Sequence, residues 1–257
     1  MRDRFDFETY WWILTRIAET NRCVRFRDFA GADLPEPFFI LRHDVDYSPA
    51  AALRLAEEEA KRGVSATYFL LAGTRYYNLL APEHGHLARR LAELGHEVGL
   101  HYDVNFFRSF PRQEWGQLLQ AQAQMLSELA GAEVVSIAMH QPALNGEDPF
   151  RGDGRFINAY EARFVRDSVY VSDSCRAWRN GGWSMLQGGV IPRRLHLCLH
   201  PINWSDHDRD RMSIFRSLHE DLIDDIRHAG DELLAKIASH TAVLEHESRV
   251  AQGAQCR

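Results

Sequence analysis

The chain has 257 residues, 45% of them hydrophobic and 26% charged, with a formal net charge of −6. These values supply a sizeable core and fit one large α/β domain, and a negative chain without a basic stripe excludes an electrostatic nucleic-acid footprint. No stretch approaches the roughly 18 uncharged apolar residues of a membrane-spanning helix, and the opening "MRDRFDFETYWW" has no apolar h-region. No secretory signal is therefore expected, and the expected compartment is the cytoplasm. Cys23, Cys175, Cys198 and Cys256 show no C-x-x-C spacing and read as free thiols rather than as a zinc or disulfide framework.

Residues 7–20 carry the apolar face of an amphipathic helix, with Trp11, Trp12, Ile13 and Ile17. "CVRF" reads as a short strand. "PFFILRHDVD" (37–46) is an apolar run that stops on His43, Asp44 and Asp46, the pattern of a buried parallel strand with a polar end. Ser48 and Pro49 then form an N-cap and first helical position, and the helix runs to Gly63. "SATYFLLAG" is a strand rich in β-branched and aromatic residues. "HGHLARRLAEL" is a helix closed by Gly95, "HEVGLHY" a strand, "RQEWGQLLQAQAQMLSELA" a helix closed by Gly131, and "EVVSIAMH" a strand. Residues 141–166 read as a loop-rich stretch. "SVYVSDS" is a strand, "RNGGWSMLQGG" (179–189) an open loop with Gly pairs at 181–182 and 188–189 suited to a mobile segment over a site, and "RLHLCLH" a strand. A helix from about 211 to 247 completes the pattern. Alternating strands and helices imply a parallel sheet with helices outside it. No linker interrupts the chain, so 1–257 reads as a single domain, compatible with a barrel or an open doubly wound sheet.

Five strands end in polar residues: "HDVD" (43–46), "HYD" (101–103), "MHQP" (139–142), "SDS" (172–174) and "LHP" (199–201). Any one of these is ordinary turn chemistry. Together they matter, because parallel α/β folds place ligands outside the carboxyl ends of their strands. Imidazole and carboxylate are ligands for zinc and related divalent ions, and a catalytic site keeps three protein ligands and one open position. A further carboxylate serves as general base and a histidine across the site as general acid, a set suited to amide or ester hydrolysis. Asp44 and Asp46 share a strand face, and two like charges that close call for a cation or a proton. His43 points to the opposite face and reads as structural. The chain has no Gly-rich phosphate loop and no G-x-S-x-G elbow, and Cys198 lies inside a strand, as a small buried hydrophobe would.

The order of these motifs, from about residue 38 to 204, resembles the polysaccharide deacetylase (NodB-homology, carbohydrate esterase family 4) superfamily. The resemblance implies a distorted (β/α) barrel, usually of seven strands, and metal-dependent removal of acetyl groups from sugars. It implies a divalent metal, zinc first, with cobalt, iron, manganese or nickel as alternatives. It makes Asp44 the general base and Asp46 a metal ligand, an assignment open to reversal. It makes His101 of "GHEVGLHY" a metal ligand, His200 of "LCLHP" the general acid, and Asp173 of "SDS" the residue that orients a catalytic group. Trp178 would line the groove. Trp178, Trp204 and Tyr102 are the candidate sugar-stacking rings, with an equal case for core packing.

The chain departs from the family pattern at two positions. Asn105 stands where a second metal histidine falls, four residues after His101, and His140 stands where the family often has arginine. His140 as a compensating ligand would complete a set of Asp46, His101 and His140; Asn105 or Asp103 as a weak ligand, or no metal at all, are the alternatives. The "RHDVD", "GLHY" and "HP-x-x-W" variants resemble a branch associated with surface-polysaccharide biosynthesis. The expected function is a hydrolase removing an N-acetyl or related acyl group from a sugar or sugar-linked precursor. The alternatives are a glycan-binding member that has lost turnover and an amidohydrolase acting on a small non-sugar amide. The oligomeric state is open.

Overall fold

The computed structural model describes residues 3–31, 34–179 and 181–255, with side chains through 244; Cys256 lies outside the described residues. Helix α1 (Phe7–Ala18) starts at Asp6, whose carboxylate accepts from the Thr9 N–H at 2.8 Å, and the short strand β1 (Arg22–Val24) follows. Strand β2 (Phe38–Val45) is buried along its whole length. Ser48 caps α2 (Pro49–Lys61) by accepting from the Ala51 N–H at 3.2 Å. The alternation continues through β3 (Thr67–Leu71), α3 (Leu87–Glu93), β4 (Glu97–Tyr102), α4 (Val104–Phe107), α5 (Trp115–Ala130) and β5 (Ser136–Met139). Helix α5 stops on Gly131 at φ 66°, a left-handed conformation that glycine adopts without steric cost. The rest comprises α6 (Pro142–Asn145), β6 (Ile157–Asn158), α7 (Ala162–Val165), β7 (Val169–Ser172), α8 (Gly182–Gly188), β8 (Arg194–Leu199) and α9 (Arg211–Gln255).

All strand pairings are parallel, in the order β6-β5-β4-β3-β2-β8-β7, with β1 paired to β2 off this path. Seven parallel strands thus form a curled half-barrel with helices, the distorted (β/α) barrel expected from the sequence. The loop-rich stretch 141–166 holds only the short elements α6, β6 and α7. One expectation needs correction. The stretch 179–189, expected as an open loop, holds α8. Gly182 there packs so tightly on β7 that a Cβ would lie 2.4 Å from Val171 Cγ1, and Leu186 is fully buried. Gly182 therefore marks a close approach, not an open flap over the site, while Gly181 supplies the left-handed turn into the helix.

The period of two divides the sheet into two packed layers. Outward residues such as Phe39, Leu41, Val45, Tyr68, Leu70, Leu100 and Leu197 join the helices in the main core. Inward residues Phe38, Ile40, Phe69 and Ala138 form a second cluster with Phe26, Phe29 and Phe164. On the outward layer lies a buried polar group. Glu59 of α2 lies 2.8 Å from His43 Nε2 and accepts the Tyr68 hydroxyl at 2.8 Å and the Tyr10 hydroxyl. Burial works against its charge, but His43, His96 and the Tyr10 hydroxyl outweigh that and hold the Glu59 carboxyl below its ordinary range. A buried charge persists only when partnered in this way, and the partners here tie α1, α2, β2 and β3 together.

The chain divides into two compact units, Met1–Arg211 and Met212–Arg257. The second is made of α9, which exposes Ile226, Leu233 and Ile237. Cys23, Cys175 and Cys198 are free thiols. Among the described residues no helix is long and apolar enough to cross a membrane.

Because Glu59 is depressed in the folded state, its stabilisation is fully present above the ordinary value of 4.5 and is lost as pH falls below it. Thermal melts from pH 7 to pH 4 should show Tm dropping at the acid end. Glu59→Gln should cost on the order of 2 kcal/mol at pH 7 and flatten that acid slope; a Tm equal to wild type at both pH values would show the cluster to be energetically idle.

Candidate metal and catalytic site

The inward face of β2 carries Arg42 and Asp44, and Asp46 follows at the strand's end. Arg42 is fully buried. Its Nε donates to Asp44 Oδ1 at 2.7 Å and its Nη2 to Asp44 Oδ2 at 2.8 Å, while Nη2 also donates to the Tyr160 hydroxyl at 2.9 Å. Burial would push the Asp44 carboxyl up, but the Arg42 guanidinium, with His101 and His200, holds it well below the usual carboxylate range. Asp44 is therefore ionised at any working pH. Sequence reasoning passed over Arg42 as a strand residue. Its signal was an arginine two positions before Asp44, hence on the same face, in a strand otherwise apolar enough to be buried.

His101, the penultimate residue of β4, donates from Nδ1 to the Ala138 carbonyl at 2.9 Å. That bond fixes the ring and turns Nε2 toward Asp46 Oδ1 at 3.3 Å. Gly99, two residues earlier on this face, leaves room for the Phe69 ring, which an added Cβ would meet at 2.4 Å. His140 follows β5, with Nε2 3.7 Å from Asp46 Oδ1. Burial and the neighbouring His101 lower the His140 pKa against the pull of Asp46, which favours a neutral imidazole with its lone pair available. Asp46, His101 and His140 each offer a ligand atom, all within 4.8 Å of one another. Asp46 Oδ1 and His140 Nε2 are buried without a hydrogen-bond partner among the described residues. Two imidazole nitrogens and one carboxylate are a donor set for a borderline divalent cation, and the orphaned atoms point to the same occupant, so these residues fit a metal.

On the other side of Asp46 stands His200, after β8. Its Nε2 lies 3.8 Å from Asp46 Oδ2, and its Nδ1 lies 2.6 Å from Asp173 Oδ1. Asp173 also accepts the His200 backbone N–H at 3.0 Å and the Trp204 indole N–H at 3.0 Å. Burial acts to lower the His200 pKa, but Asp173, with Asp46 and Asp44, outweighs it and raises the pKa to about 9. His200 thus carries a proton at neutral pH on a ring whose orientation Asp173 sets.

The structure brings Asp44, Asp46, His101, His140, Asp173 and His200 together. It leaves Asn105 outside the cluster: this exposed residue donates from its backbone N–H and its Nδ2 to Asp103 Oδ1, both at 2.9 Å, and accepts from Arg108 Nη1 at 2.7 Å. The candidate stacking rings fare differently. Tyr102 is 1% exposed, and its hydroxyl donates to Asp148. Trp204 is 3% exposed and supports Asp173. Neither offers a ring face to a sugar, because a strand residue of the outward layer and an indole drawn in by a buried carboxylate both become core. Trp178 is half-buried and stacks on Phe5 at 5.6 Å and on Trp183 at 5.9 Å.

Fold and site together define a parallel (β/α) half-barrel with a carboxylate–bis-histidine cluster at the strand ends. No known protein-family pattern matches the chain, and no curated protein does. Solved structures of carbohydrate esterase family 4 proteins match it at low identity and low TM-score. It is similar to a family 4 carbohydrate esterase from Bacillus anthracis at 14% identity over 85% of this chain and 86% of that one, with a TM-score of 0.42. It is similar to a family 4 pseudoenzyme from the same organism at 15% identity over 77% of this chain and 66% of that one, with a TM-score of 0.43. A chitin deacetylase from the fungal pathogen Colletotrichum lindemuthianum aligns at 18% identity over 39% of this chain, with a TM-score of 0.34, and the match spans 44% of the fungal chain.

The cluster predicts a metal-uptake pattern. By elemental analysis after incubation with zinc, wild type and Asn105→Ala should hold about one ion per chain, as a three-ligand site does, while Asp46→Ala and His140→Ala should lose it. Retention by His140→Ala with loss by Asn105→Ala would move the third ligand to Asn105.

Proposed function

We propose that the protein is a metal-dependent hydrolase that removes an N-acetyl or related acyl group from a sugar or sugar-linked precursor. The observation that carries this reading is the position of Asp46, with the Nε2 atoms of His101 and His140 on one side and the Asp173-oriented His200 on the other. Asp46, His101 and His140 would hold the cation, zinc being the ion best suited to the set; when bound, it supplies Lewis-acid polarisation of the acyl oxygen and a lowered pKa for nearby water.

The chain's own residues would divide the proton work. The Asp44 carboxylate, kept anionic by Arg42, accepts a proton from the attacking water as its oxygen bonds to the acyl carbon. The carbon–nitrogen bond then breaks, and His200 Nε2–H delivers a proton to the leaving nitrogen. Asp173 keeps the His200 ring in the tautomer and orientation for that transfer, as a buried carboxylate does for a catalytic imidazole. Arg42 also makes Asp44 a weak base, an observation that favours the second reading: a glycan-binding protein of the same fold without turnover.

Acetate release from a panel of N-acetylated sugars separates the two. Asp44→Asn and His200→Ala should fold as wild type and lose about 10²–10⁴ in kcat. Near-full activity in either variant overturns its assigned role. Saturable sugar binding with no acetate from any substrate supports the binding protein instead.

A further inference from the structure

Beside the cluster, at the same end of the sheet, a cavity of about 420 Å³ opens between α4, the start of α5 and the segment after β5. Arg108, Arg112 and Arg151 line it. Among the described residues none of the three forms an ion pair, whereas arginines elsewhere, such as Arg54, Arg155 and Arg194, are paired with carboxylates. Arg108 is nonetheless held in place. Its Nη1 donates to Asn105 Oδ1 at 2.7 Å and its Nη2 to the Asn145 carbonyl at 3.3 Å. Arg112 lies over the Trp115 ring, 4.1 Å from its centroid.

The cavity is coupled to the reaction centre through Asn145, whose Nδ2 donates to the His140 carbonyl at 3.0 Å. Asn105 gains a role here. At the position where the resemblance would place a metal histidine, it orients an arginine toward the cavity. Two acids also line the wall, Glu147 and Asp148, and three guanidinium groups leave it positive. Asp148 is turned inward as well, with its oxygens accepting from Tyr102, the Phe150 N–H and Asn158. Partly fixed, unpaired guanidinium groups around a cavity are suited to phosphate or carboxylate oxygens, which they bind in forked pairs.

We propose that this cavity is an anion subsite, and that the substrate is an acylated sugar carrying a phosphate or carboxylate group. The substrate part of this inference rests on the deacylase reading; the anion subsite does not. The metal-loaded full chain would be titrated calorimetrically with glucose 1-phosphate and with glucuronate, in wild type, the Arg108→Gln/Arg112→Gln double variant and Arg193→Gln. Arg193 pairs with Glu36 in a different part of the sheet. Wild type and Arg193→Gln should bind alike, and the double variant should bind at least ten-fold more weakly. Tighter binding of glucose 1-phosphate assigns a phosphate, and tighter binding of glucuronate a carboxylate. Failure of wild type to bind either, or equal binding by the double variant, overturns the subsite.

Acetate release then separates this inference from the reading beneath it. For a phosphate-bearing substrate, kcat/KM for N-acetylglucosamine 1-phosphate should exceed that for N-acetylglucosamine in wild type, and the ratio should fall at least ten-fold in the double variant. Hydrolysis of neither, with binding that follows the arginines, overturns the deacylase and leaves the subsite standing. Hydrolysis of both at an unchanged ratio, with equal binding, overturns the subsite and leaves the deacylase standing.

Discussion

The buried ion pair between Arg42 and Asp44 sets the terms for everything around it. Both residues come from one strand, two positions apart, so the pleat alone puts them on the same face. Neither charge is tolerable there by itself, since desolvating an unpaired ion costs several kcal/mol. The forked pairing, supplemented by Tyr160, makes the pair possible. Its consequence is that Asp46 can sit beside a second carboxylate without forcing either to take up a proton.

Around that pair the site closes on Asp46, which lies within 4 Å of His101, His140 and His200 and whose Oδ1 is buried without a hydrogen-bond partner among the described residues. The histidines on its two sides differ through their second nitrogen. His101 donates through Nδ1 to a backbone carbonyl and turns Nε2 to Asp46, whereas His200 is bonded through Nδ1 to a carboxylate and holds its proton. One residue type thus takes two chemical roles by the choice of partner.

The opposite face of β2 works differently. His43, one residue before Asp44, points into the helical layer and meets Glu59, Tyr10 and Tyr68. The strand that presents Asp44 and Asp46 is thereby anchored from behind by polar contacts as well as by the apolar layer. Arg108 is arranged in a related way, by two amides that hold the guanidinium without cancelling its charge.

The sequence by itself determined the alternation of strands and helices, the parallel sheet and the polar ends of its strands, because periodicity, caps and apolar run lengths are local properties. It also placed Asp44 and Asp46 on one face and His43 on the other, since that needs only the pleat. Tertiary structure alone decided the rest. Whether His140 or Asn105 joins Asp46 depends on where β5 ends relative to β4, a matter of register between strands nearly forty residues apart. Trp204 became core because the buried Asp173 carboxylate drew its indole N–H inward, which no spacing reveals. Gly182 marked a tight contact with Val171 rather than a loop, since a missing side chain serves flexibility and close packing alike. Arg42 was visible as an oddity in an apolar run, but its partner became certain only when the strand was buried and every charge on it had to be matched.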